Sequence, residues 1–120
     1  MPSSESNSPL GLLSEEEMNA RQESLPDAKK LDRLAAFYRV MGDPSRLKIL
    51  ISLLEEELCA SDLARISGLS RSAASHALRV LRDAKLVRSC KRGQTVFYAL
   101  DDEHIHDVLS VAFTHIQEED

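Results

Sequence analysis

The sequence predicts a mainly α-helical protein of the α+β class, with one β-hairpin, that assembles as a homodimer. Apolar residues recur at helical spacing over most of residues 26–118. Residues 86–100 instead hold β-branched and aromatic residues on both sides of a Gly-containing turn, which predicts a hairpin. Two helices joined by a short turn come directly before that hairpin. This order is typical of a winged helix-turn-helix.

The first 25 residues are expected to form a flexible N-terminal arm. Residues 1–13 are rich in Ser, Pro and Asn, a composition that favours disorder. Ser14 is followed by three glutamates and resembles a helix start, which predicts a short helix over 14–22. The winged helix-turn-helix domain is then expected over 26–120.

Two helices are predicted at the start of this domain. Pro26 is expected to open the first, and Gly42 to end it. Its apolar positions are Leu31, Leu34, Ala35, Tyr38 and Met41. Asp43 and Pro44 supply an N-cap and a first-turn proline for the second helix. Its predicted buried residues are Leu47, Leu50, Ile51 and Leu54.

The helix-turn-helix is predicted from residue 61 to about residue 84. A short helix over 61–66 turns Leu63 and Ile66 inward, and residues 67–69 form the turn. Ser70 caps the second helix. The predicted buried stripe of this helix is Ala74, Ala77, Leu78 and Leu81. Its opposite face holds Arg71, Ser72, Ser75, His76, Arg79 and Arg82.

These polar residues predict a DNA-reading surface. Residues 70–93 carry seven Lys or Arg against one acid, and the predicted hairpin adds basic residues at its tip. The side chains expected to reach base edges are Ser72, Ser75, His76 and Arg79. Those expected to contact phosphates are Arg71, Arg82, Lys91 and Arg92. An alternative for His76 is a hydrogen-bonding role at the edge of the core.

The last predicted helix, residues 102–118, carries a metal-ligand pattern. Its apolar stripe is Ile105, Val108, Leu109, Ala112 and Ile116. Eleven residues at ~100° each bring His104 and His115 to nearly the same face, but about 16 Å apart along the axis. Zinc–nitrogen bonds are about 2 Å long, so one helix cannot bring both histidines to one ion.

A second, antiparallel copy of this helix solves the geometry. Asp102 and His104 of one protomer would meet His115 and Glu118 of the other, twice by symmetry. Convergence of Asp102 on His104, two residues away, requires Asp102 to occupy an irregular helix start. His106 points away from His104 and is not expected to be a ligand.

Composition excludes several function classes. No window reaches the ~20 apolar residues of a membrane span, and there is no signal-peptide run, so a soluble, cytoplasmic protein without membrane contact is expected. No phosphate-cradling glycine loop or nucleophile motif is present, so neither an enzyme nor a binder of small organic ligands is expected. The net charge of −5 does not exclude binding to nucleic acid, because basic and acidic residues lie in separate segments.

Four segments carry a resemblance to a known family. They are YRVMGDPSRLKIL, EELCASDLA, SRSAASHALRVLRDAKLV and RSCKRGQTVFYAL. With the order of elements, they resemble the ArsR/SmtB family of metal-sensing repressors over about residues 30–118. The most specific element is D-x-H followed, after ten residues, by H-x-x-E. The resemblance implies that Asp102, His104, His115 and Glu118 bind Zn²⁺, and that a homodimer releases palindromic operator DNA on binding it.

One departure from the family pattern narrows the choice of metal ion. Members that sense soft metals carry a thiolate-rich ELCxCD motif, where this chain has Ser61 in place of the second cysteine. Cadmium, lead and arsenite are therefore disfavoured. Co²⁺ or Ni²⁺ remains an alternative to Zn²⁺, since imidazole suits all three ions. A metal-independent or redox-controlled regulator that uses Cys59 and Cys90 is a further alternative.

Overall fold

The computed structural model describes residues 11–119. This part of the chain contains six helices and three short strands. In chain order they are α1 (Glu15–Glu23), α2 (Ala28–Met41), α3 (Pro44–Ser52), β1 (Leu58–Cys59), α4 (Ala60–Ser67), α5 (Arg71–Asp83), β2 (Val87–Arg92), β3 (Thr95–Leu100) and α6 (Glu103–Glu118). The chain divides into two compact units between Leu34 and Ala35. Residues 1–10 of the predicted flexible arm lie outside the described residues, whereas residues 11–25 are described and include α1.

The two N-terminal helices begin at capping side chains. The Ser14 hydroxyl accepts a hydrogen bond from the Glu17 N–H at 3.1 Å, and the Glu17 carboxylate accepts one from the Ser14 N–H at 2.8 Å. The start of α2 differs from the prediction. Asp27 Oδ1 accepts a hydrogen bond from the Lys30 N–H at 2.9 Å, so the helix begins after Asp27, and Pro26 lies outside it.

The core of the second unit is aliphatic and draws on α3, α4, α5, α6 and the sheet. Its fully buried side chains are Ile49, Leu50, Leu63, Leu78, Leu81, Leu86 and Val87. The stripe predicted on α5 is confirmed, because Ala74, Ala77, Leu78 and Leu81 are all buried. In α3 the buried residues are Ile49 and Leu50, of which only Leu50 was predicted. The other residues predicted to be buried there, Leu47, Ile51 and Leu54, are only half-buried, and Leu54 lies beyond the end of the helix.

The inward position of Ile66 is the one prediction on α4 that is wrong. Ile66 is 60% exposed, whereas Leu63, Ala64 and Ser67 are buried. Along a helix, Ala64 and Ser67 lie ~100° and ~40° from Leu63 on one side, and Ile66 lies ~60° away on the other. The buried face is therefore centred away from Ile66.

The sheet has the strand order β1-β3-β2, with both pairs antiparallel. β2 and β3 form the predicted hairpin, and Arg92 pairs with Thr95 across a two-residue turn. Gly93 opens that turn at φ +64°, a conformation that glycine adopts without strain. The two-residue strand β1 was not predicted. It places Cys59 opposite Phe97 on one side of β3, while Cys90 lies opposite Phe97 on the other.

Candidate DNA-binding surface and metal centre

The recognition helix α5 is fixed in place by the turn before it and by its own buried stripe. Gly68 ends α4 in the left-handed conformation, at φ +70°. The Ser70 hydroxyl then accepts a hydrogen bond from the Ala73 N–H at 3.0 Å and starts α5. The six residues predicted to face DNA are all exposed: Arg71, Ser72, Ser75, His76, Arg79 and Arg82. Exposure of His76 means that it does not lie at the core edge.

A cleft of about 210 Å³ separates the recognition helix from the hairpin. It is lined by Ser75, Leu78, Arg79, Arg82 and Tyr98. The Arg82 guanidinium donates to the Ser89 hydroxyl at 3.4 Å, which links α5 to β2 across the cleft. Tyr98 was missed as a surface residue of this cleft. The sequence pattern indicates only that this aromatic residue favours a strand, because the residues that line the cleft with it come from α5.

Lys91 and Arg92 lie at the end of β2, next to the hairpin turn, and both are exposed. The two side chains differ in their surroundings. Arg92 Nη2 lies 2.6 Å from Glu57 Oε1, and the Arg92 guanidinium lies 5.4 Å from the centre of the Phe97 ring. The Lys91 side chain makes no hydrogen bond or ion pair with another of the residues 11–119.

Asp102 and His104, predicted ligands two residues apart, come together at the start of α6. Asp102 is the N-cap, with an extended backbone at φ −157°. Its Oδ1 accepts a hydrogen bond from the Ile105 N–H at 3.1 Å, and its Oδ2 lies 3.5 Å from His104 Nδ1. The hydrogen bond from Ile105 is the main cause that lowers the pKa of Asp102 below its ordinary value, and His104 adds to this effect.

Arg88 positions the chain just before this pair, a role that the sequence did not indicate. Its guanidinium Nη1 donates to the carbonyl oxygens of Leu100 at 2.9 Å and Asp101 at 2.8 Å. These carbonyls belong to the last residue of β3 and the residue before the helix cap. Arg88 therefore ties the first part of the wing to the approach to Asp102.

The second predicted ligand pair lies at the far end of α6. His115 and Glu118 are exposed and line one shallow depression of about 340 Å³. His115 Nε2 lies 3.5 Å from Glu119 Oε2, so within one chain its recorded partner is Glu119. The rise along a helix separates His115 from His104 by about 16 Å, so the two predicted ligand pairs lie at opposite ends of α6, and each is one half-site of the predicted quartet.

A different trio on α6 brings three ligand-type atoms together within the chain. Atoms of Glu103, His106 and Asp107 lie within 4.8 Å of one another. His106 Nδ1 is 3.6 Å from Asp107 Oδ1 and makes no hydrogen bond. The trio is a second candidate metal site beside the predicted quartet, and it contains His106, which the sequence does not predict as a ligand.

The donor set of the predicted quartet fits a zinc ion. Two imidazoles and two carboxylates are nitrogen and oxygen donors of the kinds that bind zinc. The Asp102 and His104 side chains are 51% and 90% exposed, so neither is committed to packing within its own chain. Each half-site is thus accessible to ligands from a second protomer.

The sheet register excludes a disulfide between the two cysteines within this fold. Cys59 and Cys90 lie on opposite sides of Phe97, two strand spacings apart, which is about 9.5 Å. Disulfide-bonded Cα atoms lie within about 7 Å.

An apolar groove of about 430 Å³ lies beside the ligand-bearing helix. It is lined by Tyr38, Met41, Gly42, Leu47, Ile51, Val108, Leu109, Ala112, Phe113 and Ile116. Of the stripe predicted on α6, Ile105 and Leu109 are buried, while Ala112 and Ile116 are exposed. The C-terminal part of this stripe is therefore exposed and forms part of the apolar groove.

Comparison with known proteins identifies the relatives of this chain. The family model described as bacterial regulatory protein, arsR family, matches residues 43–89. A transcriptional repressor SmtB homolog of Synechocystis sp. is 39% identical over 98 residues, which cover 79% of this chain and 74% of that protein. A cadmium resistance transcriptional regulatory protein CadC homolog of Staphylococcus aureus is 36% identical over 87% of this chain and 86% of its own length.

The fold also matches a solved structure. A homodimeric winged helix-turn-helix DNA-binding domain from Mycobacterium bovis superimposes with a TM-score of 0.72 and 23% identity, over 80% of this chain and 91% of that one. The predicted winged helix-turn-helix architecture is therefore confirmed. Within residues 11–119, none of the helices has the length and apolar character needed to cross a membrane.

Proposed function

Because the chain belongs to the ArsR family of bacterial regulatory proteins, we propose that it is a zinc-responsive transcriptional repressor. In this proposal it binds palindromic operator DNA as a homodimer and is released from that DNA on binding zinc through the C-terminal helices. Members of the family are transcriptional regulators and not enzymes, which confirms the expectation that this chain is not an enzyme.

The observation that carries the metal response is the pairing of Asp102 with His104. An N-cap aspartate has an extended backbone, so its carboxylate can approach a side chain two residues later, which a regular helix does not allow. In the proposed site Asp102 and His104 of one protomer, with His115 and Glu118 of its partner, hold the ion. The bound ion supplies positive charge and four-coordinate bonding that join two helices. The name of the cadmium resistance relative supports metal control in general.

Homodimer formation is supported by the apolar groove and by the exposed stripe of α6. Phe113 and Ile116 are 40% and 56% exposed, and both line this groove, which has almost no polar lining. Contiguous apolar surface of this kind marks an interaction site in a soluble protein. The comparable domain from Mycobacterium bovis is described as homodimeric.

DNA binding is proposed through the outer face of α5 and the tip of the wing. Ser72, Ser75, His76 and Arg79 would reach base edges in the major groove. Arg71, Arg82 and Lys91 would contact phosphates, and Arg92 would do so only on leaving Glu57. Two half-sites at opposite ends of α6 would fix the relative orientation of the protomers, and thereby the spacing of the two recognition helices.

The test is the affinity for operator DNA with and without zinc, at fixed salt. The operator can be selected from random duplexes by the protein itself, and fluorescence anisotropy then gives Kd. We expect zinc to weaken binding by about 5- to 150-fold, the usual range of allosteric coupling, and DNA to weaken zinc binding by the same factor. Equal affinities with and without zinc would contradict the proposal.

Variants of the histidines distinguish the two metal sites on α6. His104→Ala and His115→Ala should bind the operator but no longer respond to zinc. His106→Ala is the matched control, since it removes an imidazole from the competing trio. Loss of the response in His106→Ala, with the response kept in His104→Ala, would assign the metal to Glu103, His106 and Asp107 instead.

The choice among Zn²⁺, Co²⁺ and Ni²⁺ needs a separate measurement, because imidazole and carboxylate ligands suit all three ions. Cobalt serves as a spectroscopic probe of the coordination number. An intense tetrahedral spectrum would support zinc as the effector. A weak octahedral spectrum would favour cobalt or nickel.

A further inference from the structure

The arginine at the tip of the wing is turned back across the sheet. Arg92 ends β2 and pairs with Thr95 beside the turn, whereas Glu57 precedes β1, whose Leu58 pairs with Tyr98. Glu57 is thus level with Ala99, which is four residues, or about 13 Å, along β3 from the Thr95 level of Arg92. Because β1 and β2 lie on opposite sides of β3, Glu57 and Arg92 are also about 9.5 Å apart across the sheet. An ion pair of 2.6 Å across this separation requires both side chains to extend along the sheet toward each other.

The alternation of strand side chains explains why this contact forms. Cys59, Phe97 and Cys90 share one register position and therefore one face of the sheet. Glu57 and Arg92 are each two residues from one of these cysteines, so both belong to the same face. The Arg92 guanidinium crosses that face over the Phe97 ring, where a cation–π contact adds to the ion pair.

From this geometry we infer that Glu57 is an affinity-setting residue that withholds Arg92 from DNA. The guanidinium cannot keep its contact with Glu57 and also point outward from the wing tip to a phosphate. DNA must therefore compete with the Glu57 carboxylate for Arg92. The inference rests on the DNA binding of the proposed function but not on its response to metal.

The expected size of the effect follows from the exposure of the pair. The side chains are 57% and 33% exposed, and ion pairs in such positions are weak, so the loss of Glu57 should tighten DNA binding by only about 1.5- to 5-fold. A second consequence is more specific. If Arg92 gains a phosphate contact, the slope of log affinity against log salt should become steeper by about 0.9 per protomer.

The experiment measures binding to a fluorescent duplex of mixed sequence across a salt series, because non-specific binding reports phosphate contacts without a known operator. Glu57→Gln keeps the size of the side chain and removes its charge. Glu56→Gln is the matched control, since Glu56 is exposed, has the same charge and has no recorded ion pair within residues 11–119. Both variants raise the net charge equally, so the difference between their DNA affinities and salt slopes reports the specific effect of Glu57.

We expect Glu57→Gln to bind more tightly than Glu56→Gln and with the steeper salt slope. In an Arg92→Gln background this difference should disappear, because there is no arginine to release. Equal behaviour of the two Gln variants would overturn the inference, as would a difference that persists without Arg92. Weaker binding by Glu57→Gln would also overturn it and would mean that Glu57 orients Arg92 toward DNA. Absence of binding by every variant would contradict the DNA-binding premise itself.

Discussion

Asp102 uses its two carboxylate oxygens in different ways: Oδ1 accepts the hydrogen bond that starts α6 from the Ile105 N–H, and Oδ2 lies 3.5 Å from His104 Nδ1. The capping contact stabilises the fold, and the histidine contact belongs to the proposed metal site. These two roles can be separated by choosing the substitution at this residue.

Asp102→Ala should lower the free energy of unfolding by about 0.5–2 kcal/mol, because the helix loses its cap. Asp102→Asn should leave it nearly unchanged, since asparagine caps helices about as well as aspartate. Both variants should lose affinity for zinc, as neither has a carboxylate at this position. Urea denaturation with a chelator present, and zinc titration of the same samples, measure the two effects. Full zinc affinity in Asp102→Asn would contradict the proposed ligand role.

The metal-free protein should show an acid-dependent term in stability that comes from Asp102. The pKa of this carboxyl is lowered from 3.8, first by the hydrogen bond from Ile105. Its ionised form therefore favours the folded state above pH 3.8, and this contribution is lost as the pH falls through the lower folded pKa. The free energy of unfolding, measured as a function of pH, should fall more for the wild type than for Asp102→Asn as the pH drops below 3.8. If the free energies of unfolding of the two proteins change in parallel with pH, the ionised Asp102 carboxylate makes no such contribution to stability.

Ile116→Glu should shift the proposed dimer to monomer. Ile116 is 56% exposed and lines the apolar groove, so a carboxylate there is tolerated in a monomer but is buried without a partner in a dimer. We expect the dissociation constant of the dimer to rise at least about tenfold, as measured by sedimentation velocity at several concentrations. Ile66→Glu is the matched control, because Ile66 is 60% exposed and lies outside the groove. An unchanged association state in Ile116→Glu would place the interface elsewhere.

Lys85→Gly should stabilise the protein by about 0.5–1 kcal/mol. α4 and α5 end in the same motif, in which Gly68 and Lys85 occupy equivalent positions at φ +70° and φ +64°. The hydrogen bond from the Leu69 N–H to Ala64 O corresponds to that from Leu86 to Leu81, each at 2.9 Å. Only Lys85 has a side chain in this left-handed conformation, which disfavours L-residues.

The reciprocal change, Gly68→Lys, should destabilise the protein by about 1–2 kcal/mol. A Cβ atom at Gly68 would meet nothing within 4 Å, so backbone strain alone accounts for the expected loss. Thermal unfolding of both variants and of Lys85→Ala measures the effect. Equal stabilisation by Lys85→Ala and Lys85→Gly would contradict the explanation from strain.

Much of the fold was predictable because helix patterns are local. The stripe of α5 from Ala74 to Leu81, the caps at Asp43 and Ser70, and the turn at Gly93 each depend on residues within a few positions of one another. Ile66 was assigned wrongly for a related reason. The spacing of apolar residues gives a helical face, but the neighbouring helices decide which part of that face is covered.

The sequence by itself determined the winged helix-turn-helix order, the outer face of the recognition helix and the ligand types on α6, since each depends on residue identity and helical period. Only the tertiary structure decided that Asp102 turns its carboxylate to His104, that Arg92 folds back to Glu57, and that Cys59 and Cys90 lie two strands apart. The last two depend on pairing between distant strands, and β1 has only two residues, too few for any periodic pattern. The Asp102 contact depends on where the chain leaves β3 and enters a helix, a boundary held by the carbonyl contacts of Arg88.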